Sequence, residues 1–162
     1  MATGFGSGYA PIAPGTAGAL VGVLIFWMLT YFQVIDNETF NWSKEGVLIL
    51  LTGVFLWIGV AAANALEAEW GHDAQKIVID EIVGVWIALL FTPLNCMTLL
   101  LGFILFRFFD IAKPLGVRKM ERFKGGWGVM MDDVLAGVYA WLVLKAIGLL
   151  FPVLGGYAMI YS

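Results

Sequence analysis

Charge is scarce in this chain of 162 residues. Only 13% of the residues are charged, whereas 61% are hydrophobic and the mean hydropathy is +0.90. Because soluble domains carry about 25% charged residues, the composition indicates an integral membrane protein. The longest polar stretch, 110–133, is too short for a separate soluble module. We therefore expect one membrane-embedded domain over 1–162, with no nucleic-acid partner.

Cysteine and histidine occur once each, as Cys96 and His72. A single cysteine excludes an internal disulfide and a Cys-x-x-Cys metal site. Three familiar routes of phosphate chemistry also lack their signatures, because the chain has no Cys-x5-Arg after Cys96, no Asp-x-Asp and no Ser-Gly-His. His72 stands beside Asp73 in a polar loop, where it is either a ligand or proton carrier or a solvated side chain.

Long uncharged runs predict the membrane spans. The first run covers 17–35, and its nineteen residues at 1.5 Å each reach about 28 Å, close to the ~30 Å hydrocarbon core. A second run covers 46–66. The last covers 134–154 and contains Lys145, which we expect to snorkel toward the far interface. These runs predict three full spans.

The uncharged run 82–106 differs from the others because Thr92-Pro93-Leu94-Asn95 interrupts it. Proline lacks an N–H donor and disfavours helix at the preceding residue, so a turn is expected there. We expect a short helical hairpin, either two short spans or a re-entrant pair, and one tilted span of about 37 Å is the alternative. The predicted fold is an all-α integral membrane protein, a compact bundle of three full spans plus this hairpin.

Two pairs of adjacent carboxylates, Asp80-Glu81 and Asp132-Asp133, stand at the start of apolar runs. A charge in hydrocarbon costs roughly 2.5–3.5 kcal/mol, and a like charge beside it adds to the cost unless a cation shares the site. Each pair is therefore either a helix start favoured by the helix dipole or a set of cation ligands. Small residues follow each pair within about one turn, which predicts close helix approach.

Basic residues are concentrated near 107–124. Arg107, Asp110 and Lys113 are three residues apart, so they share a helix face until Pro114 ends the helix. Seven of the nine basic residues fall in two loops that the hairpin places on one side, and the positive-inside rule makes that side cytoplasmic. The loop 113–124 is either a topology determinant alone or also a surface for anionic lipid headgroups.

Thr16 stands at the end of a glycine- and proline-rich opening, where an N-cap is expected. The N–H groups of a helix start can hold phosphate, although a simple lead-in to a capped helix explains the same residues.

The hairpin topology would bring these groups to one membrane face. Five converging carboxylates cannot all stay ionised without a cation, and all-oxygen ligation suits a hard ion such as Mg²⁺. With cations to hold phosphate, such a site is equipped for metal-assisted phosphoryl hydrolysis. The residues alone leave a phosphate enzyme and a divalent-cation transporter both open, with a lipid-recruiting scaffold as a third possibility.

Four motifs follow one another along the chain. They are Gly4-Phe5-Gly6-Ser7-Gly8 with Pro11 and Ala13-Pro14-Gly15-Thr16-Ala17-Gly18; His72-Asp73 with Ile79-Asp80-Glu81-Ile82-Val83-Gly84; Phe106-Arg107-Phe108-Phe109-Asp110-Ile111-Ala112-Lys113-Pro114; and Gly125-Gly126-Trp127-Gly128-Val129-Met130-Met131-Asp132-Asp133-Val134-Leu135-Ala136-Gly137. In this order they resemble the phosphatidylglycerophosphatase A family, Mg²⁺-dependent bacterial inner-membrane enzymes that hydrolyse phosphatidylglycerophosphate to phosphatidylglycerol and phosphate. The resemblance runs from Gly4 to about Phe151 and departs from the family pattern at Ala19, 115–116 and Glu121.

The resemblance implies this same activity, a lipid substrate and an active site facing the cytoplasm. It leaves open whether water or a carboxylate attacks phosphorus, and it does not specify an oligomeric state. The residue roles that we expect are catalysis by Asp80, Glu81, Asp132 and Asp133; Mg²⁺ ligation by Asp80, Glu81, Asp110, Asp132 and Asp133; and phosphate binding by Arg107, Lys113, Thr16 and His72.

Overall fold

The computed structural model describes residues 14–31, 42–70, 78–92, 95–114, 116–120 and 122–151. Within these ranges the chain forms helices and no strand, which confirms the all-α prediction. The helices are α1 (Pro14–Tyr31), α2 (Trp42–Trp70), α3 (Ile79–Leu89), α4 (Cys96–Ala112), α5 (Val117–Met120) and α6 (Gly126–Leu150).

Three of these helices are long and apolar enough to cross a membrane, which confirms the three predicted spans. They are α1, the segment Gly46–Ala65 of α2, and α6. The predicted first boundary is wrong, because α1 already begins at Pro14. Proline is favoured at the first helical position, where its missing N–H costs nothing. Thr16 therefore lies inside the first turn and is not the N-cap.

The interrupted run forms the expected hairpin of α3 and α4, so a single tilted span is excluded. The eleven residues of α3 reach only about 16 Å, roughly half of the hydrocarbon thickness. Asn95 starts α4 by a capping box, in which its side chain accepts from the Thr98 N–H at 2.9 Å and its own N–H donates to the Thr98 hydroxyl at 3.0 Å. As predicted, α4 ends just before Pro114, with Lys113 in the left-handed conformation at φ 44°.

The central helix of the bundle is α3, which contacts α1, α2, α4 and α6. Its sequence is apolar on all sides after the acid pair, as expected of a helix surrounded by protein, and nine of its residues are buried. Gly18 of α1 packs on Val78, and Gly22 packs on Ile82 and Val85, so α1 and α3 run in the same direction. The indole N–H of Trp86 also donates to the Gly22 carbonyl at 2.9 Å.

Glycines let α3 and α6 approach closely. A Cβ atom on Gly137 would collide with the Gly84 carbonyl, and one on Gly84 would lie 2.9 Å from the Asp133 carbonyl oxygen. The predicted role of small residues after each acid pair is confirmed for these two positions. This contact places the start of α3 beside the second turn of α6.

The turn after α3 is held by side chains of α6. The indole N–H of Trp141 donates to the Leu90 carbonyl at 2.7 Å, and Lys145 donates from Nζ to the Phe91 carbonyl. The prediction that Lys145 snorkels to the far interface did not include this contact, and the snorkelling itself stays a prediction. Carbonyls at a helix C-terminus lack intrahelical donors, and a nearby ammonium satisfies one of them inside the bundle.

Candidate active site

Asp80 and Glu81 occupy the first turn of α3, so they do open a helix as predicted. The Glu81 N–H donates to Asp80 Oδ1 at 3.1 Å. Asp80 is buried and Glu81 is mostly buried, although an acid that only starts a helix can remain in water. The helix-start explanation is therefore correct but incomplete.

Asp132 and Asp133 do not open a helix, contrary to prediction. They lie in the second turn of α6, which begins at Gly126. The helix starts earlier because the Gly126 N–H donates to the Asn64 side chain of α2 at 2.7 Å, and because Gly125 adopts φ 63°, which glycine tolerates. Both carboxylates are buried, and Asp133 lies against the acid pair of α3.

The closest group of carboxylates joins the two acid pairs. Asp80, Glu81 and Asp133 each offer an oxygen, and these three atoms lie within 4.8 Å of one another. At that separation two unit charges repel by about 3.5 kcal/mol at an effective dielectric constant of 20. Three ionised carboxylates are stable in such a buried cluster only when a cation shares it.

The two predicted phosphate-binding cations lie at this cluster and are paired with carboxylates. Arg107 Nη1 contacts Asp110 Oδ2 at 2.5 Å, and Lys113 Nζ contacts Asp132 Oδ2 at 2.6 Å. The left-handed backbone of Lys113 ends α4, and its side chain reaches Asp132 on α6. In the part of the chain that the structure describes, five carboxylates thus face two cations at this site.

Three buried side-chain atoms in the described part of the chain lack a hydrogen-bond partner, and all three belong to this site. They are Glu81 Oε2, Arg107 Nε and Asp132 Oδ1. A buried polar atom without a partner costs about 1–3 kcal/mol, so such atoms mark a place for a ligand. Free carboxylate oxygens beside an excess of negative charge fit a hard divalent cation such as Mg²⁺.

Gly15 brings the start of α1 onto the same site. A Cβ atom there would collide with Glu81 Oε1 and would lie 3.1 and 3.3 Å from Arg107 Nη1 and Nη2. The first N–H groups of a helix have no intrahelical acceptor, so this end of α1 can bind an anion. Thr16 was the residue predicted in this turn, but the residue in contact is Gly15, which the Pro-Gly pair at the helix start could have indicated.

The structure thus brings together seven of the predicted site residues and sets Thr16 in the adjoining turn of α1. His72 lies outside the described residues, so its predicted role stays a prediction. The seven are Asp80, Glu81, Arg107, Asp110, Lys113, Asp132 and Asp133.

A bundle with long apolar helices and a buried centre of carboxylates, cations and a helix N-terminus defines a multi-pass membrane enzyme that acts on anionic groups. The model of the family described as phosphatidylglycerophosphatase A matches residues 1–148. The chain belongs to this family and is a lipid phosphatase.

Three relatives illustrate the similarity. A Bacteroides thetaiotaomicron protein named as a candidate phosphatidylinositol-3-phosphatase is 51% identical over 147 residues, covering 89% of each chain. The phosphatidylglycerophosphatase A of Haemophilus influenzae is 41% identical, covering 91% of this chain and 86% of its own. That of Escherichia coli is 35% identical, covering 94% and 84%. No solved structure matches the chain significantly.

Proposed function

We propose that this protein hydrolyses the terminal phosphomonoester of phosphatidylglycerophosphate, giving phosphatidylglycerol and inorganic phosphate, with Mg²⁺ held at the carboxylate cluster. The observation that carries the proposal is the buried group of Asp80, Glu81 and Asp133, whose oxygens lie within 4.8 Å of one another in a chain of a phosphatase family. Family membership also favours the enzyme over a cation transporter or a lipid-recruiting scaffold.

A phosphate dianion needs added positive charge to enter this site. Among the described residues, five carboxylates against two cations leave three excess negative charges there, so Mg²⁺ held by Asp80, Glu81 and Asp133 would lower that excess to one. When bound, Mg²⁺ would neutralise negative charge on the phosphoryl oxygens in the transition state. Arg107 would hold the same phosphate beside the N–H groups of the first turn of α1.

In this proposal Asp110 and Asp132 position the two cations of the site. Each is ion-paired in the structure, so each positions a cation, Asp110 for Arg107 and Asp132 for Lys113. Asp132 Oδ1 has no partner among the described residues, so this oxygen would be available to Mg²⁺ or to the attacking water. In the hydrolysis a water oxygen bonds to phosphorus, the bond from phosphorus to the lipid oxygen breaks, and the leaving oxygen takes up a proton.

A second candidate substrate is phosphatidylinositol 3-phosphate, because the Bacteroides thetaiotaomicron relative is 51% identical. Both substrates present a phosphomonoester on a lipid headgroup, so the site described above serves either. The family match and the two phosphatidylglycerophosphatase relatives favour the first.

We also propose that the protein lies in the bacterial inner membrane with this site facing the cytoplasm. The support is the basic segment after α4, which contains Arg118, Lys119, Arg122 and Lys124 and adjoins the site through Lys113.

The test is phosphate release by the full chain in detergent, with each of the two lipids and with Mg²⁺ titrated after treatment with a chelator. We expect release that depends on Mg²⁺ and a kcat/KM at least about tenfold higher for phosphatidylglycerophosphate, since correct headgroup contacts are worth over about 1.4 kcal/mol. Faster release from the inositol lipid would select the second substrate. No release from either lipid, together with Mg²⁺ uptake into liposomes, would identify a transporter.

A further inference from the structure

An apolar groove with a volume of about 630 Å³ lies between α1 and α4. Leu24 and Tyr31 line it on α1, and Cys96, Leu100 and Phe103 line it on α4. Leu24 is 58% exposed and Leu100 is 53% exposed, so the groove opens to the outside of the bundle. In a membrane that outside is the hydrocarbon of the bilayer.

The two helices that form the groove also meet at the carboxylate site. Gly15 of α1 lies against Glu81 and Arg107, and Arg107 belongs to α4. Leu20, the first groove residue of α1, follows Gly15 by five residues, or about 7.5 Å along the helix. That interval leaves room for a headgroup between a phosphate at Arg107 and a chain in the groove.

The length of the groove matches one leaflet. From Leu20 to Tyr31 the helix rises about 16 Å, and one half of the hydrocarbon core is about 15 Å thick. A lipid whose phosphate reaches the site would extend its acyl chains in this direction. The groove therefore begins about 7.5 Å along α1 from Gly15, opens to the bilayer and is about as long as one leaflet is thick.

We infer that the groove between α1 and α4 holds an acyl chain of the phospholipid substrate while the phosphate occupies the Arg107 site. The inference rests on the proposed function and specifies where the lipid lies. Bilayer lipid is as apolar as the groove, so entry of the chain gains little hydrophobic free energy. The groove instead orients the lipid, and its effect appears in the rate of lipid hydrolysis.

Filling the groove with a larger side chain tests this inference. Leu100→Trp places an indole in the groove, whereas Met97→Trp adds the same bulk on α4 at a residue that is 45% exposed and does not line the groove. A matched pair exists on α1, where Leu24 lines the groove and Met28, 50% exposed, does not. The α1 pair keeps the test valid if an α4 variant does not fold.

Hydrolysis is measured with dipalmitoyl and dihexanoyl phosphatidylglycerophosphate, which share a headgroup. We expect Leu100→Trp and Leu24→Trp to lower kcat/KM for the long-chain lipid at least about fivefold, the equivalent of about 1 kcal/mol of overpacking. The short-chain rate should be unchanged, and both control variants should match wild type with both lipids.

Equal losses in groove and control variants, or equal losses with both lipids, would overturn the inference. Wild-type protein that hydrolyses neither lipid would instead refute the proposed function, and the inference with it.

Discussion

Both ends of α3 bury polar groups, but the two ends differ in how those groups are hydrogen-bonded. At the C-terminal end, the Leu90 and Phe91 carbonyls accept from Trp141 and Lys145 of α6. At the N-terminal end, Glu81 is one of three site residues with a buried atom that has no partner among the described residues. Within that part of the chain, the polar groups at one end of α3 are hydrogen-bonded and those at the other end are not all satisfied.

This difference distinguishes polar groups that stabilise the fold from polar groups that are placed to bind a ligand. A donor from a neighbouring helix satisfies the turn carbonyls, which stabilises the hairpin. The carboxylate end carries a cost that the described residues do not offset, and such costs persist in proteins where a ligand removes them. The comparison predicts that substitutions at the two ends will have opposite effects on activity and stability.

The largest effect is expected for Asp133→Asn. The variant loses one carboxylate of the buried group, so phosphate release should fall by about 10²–10³-fold, as for other electrostatic groups at phosphoryl or acyl centres. The melting temperature should not fall, because one repelling charge is gone. The control is Glu45→Gln in the first turn of α2, at the end opposite Asn64, which contacts the start of α6. This variant should keep wild-type rates. An active Asp133→Asn enzyme would refute the role of this residue.

A smaller effect is expected for Gly15→Ala. The added methyl group displaces Glu81 or Arg107, and a displacement of about 1 Å at a reacting centre can cost up to about 10²-fold in rate. Gly53→Ala is the matched control, since nothing lies within 4 Å of a Cβ atom there. The control should keep its activity and gain about 0.5–1 kcal/mol from better helix propensity. Equal rates for the two variants would show that Gly15 is only a helix start.

The smallest effect on activity is expected for Lys145→Met. The Phe91 carbonyl loses the hydrogen bond from Lys145, so the free energy of unfolding should fall by about 1–3 kcal/mol. The kcat of the folded protein should stay within about a factor of two, because the hairpin tip and the carboxylates are distant and act independently. Thermal unfolding in detergent and phosphate release measure the two quantities. A large loss of kcat without loss of stability would contradict the structural role of this end.

Hydropathy and proline position were sufficient to predict the three spans and the hairpin, because span length depends on bilayer thickness and Pro93 interrupts the run 82–106. The acid pairs were recognised because adjacent charges are rare in apolar runs. The two acid pairs come together because α3 and α6 pack closely at Gly84 and Gly137. The small residues after each acid pair had indicated this close packing.

The errors concern contacts between distant parts of the chain. The contact of Lys145 with the hairpin was missed because the carbonyl that accepts its hydrogen bond lies 54 residues away. Asp132 and Asp133 were placed at a helix start because the sequence does not show that Asn64 anchors Gly126. The three-residue spacing of Arg107 and Asp110 indicated that the two side chains could pair. The prediction instead assigned Arg107 to the phosphate and Asp110 to Mg²⁺.

The central claim is that the buried carboxylates of α3 and α6 together hold a divalent cation. Mn²⁺ prefers the same oxygen ligands as Mg²⁺ and is visible by electron paramagnetic resonance, so it can be titrated into the full chain in detergent without substrate. We predict saturable binding to the wild-type protein and at least about tenfold weaker binding to both Asp80→Asn and Asp133→Asn. Equal Mn²⁺ affinity in the wild type and in both variants would contradict the claim.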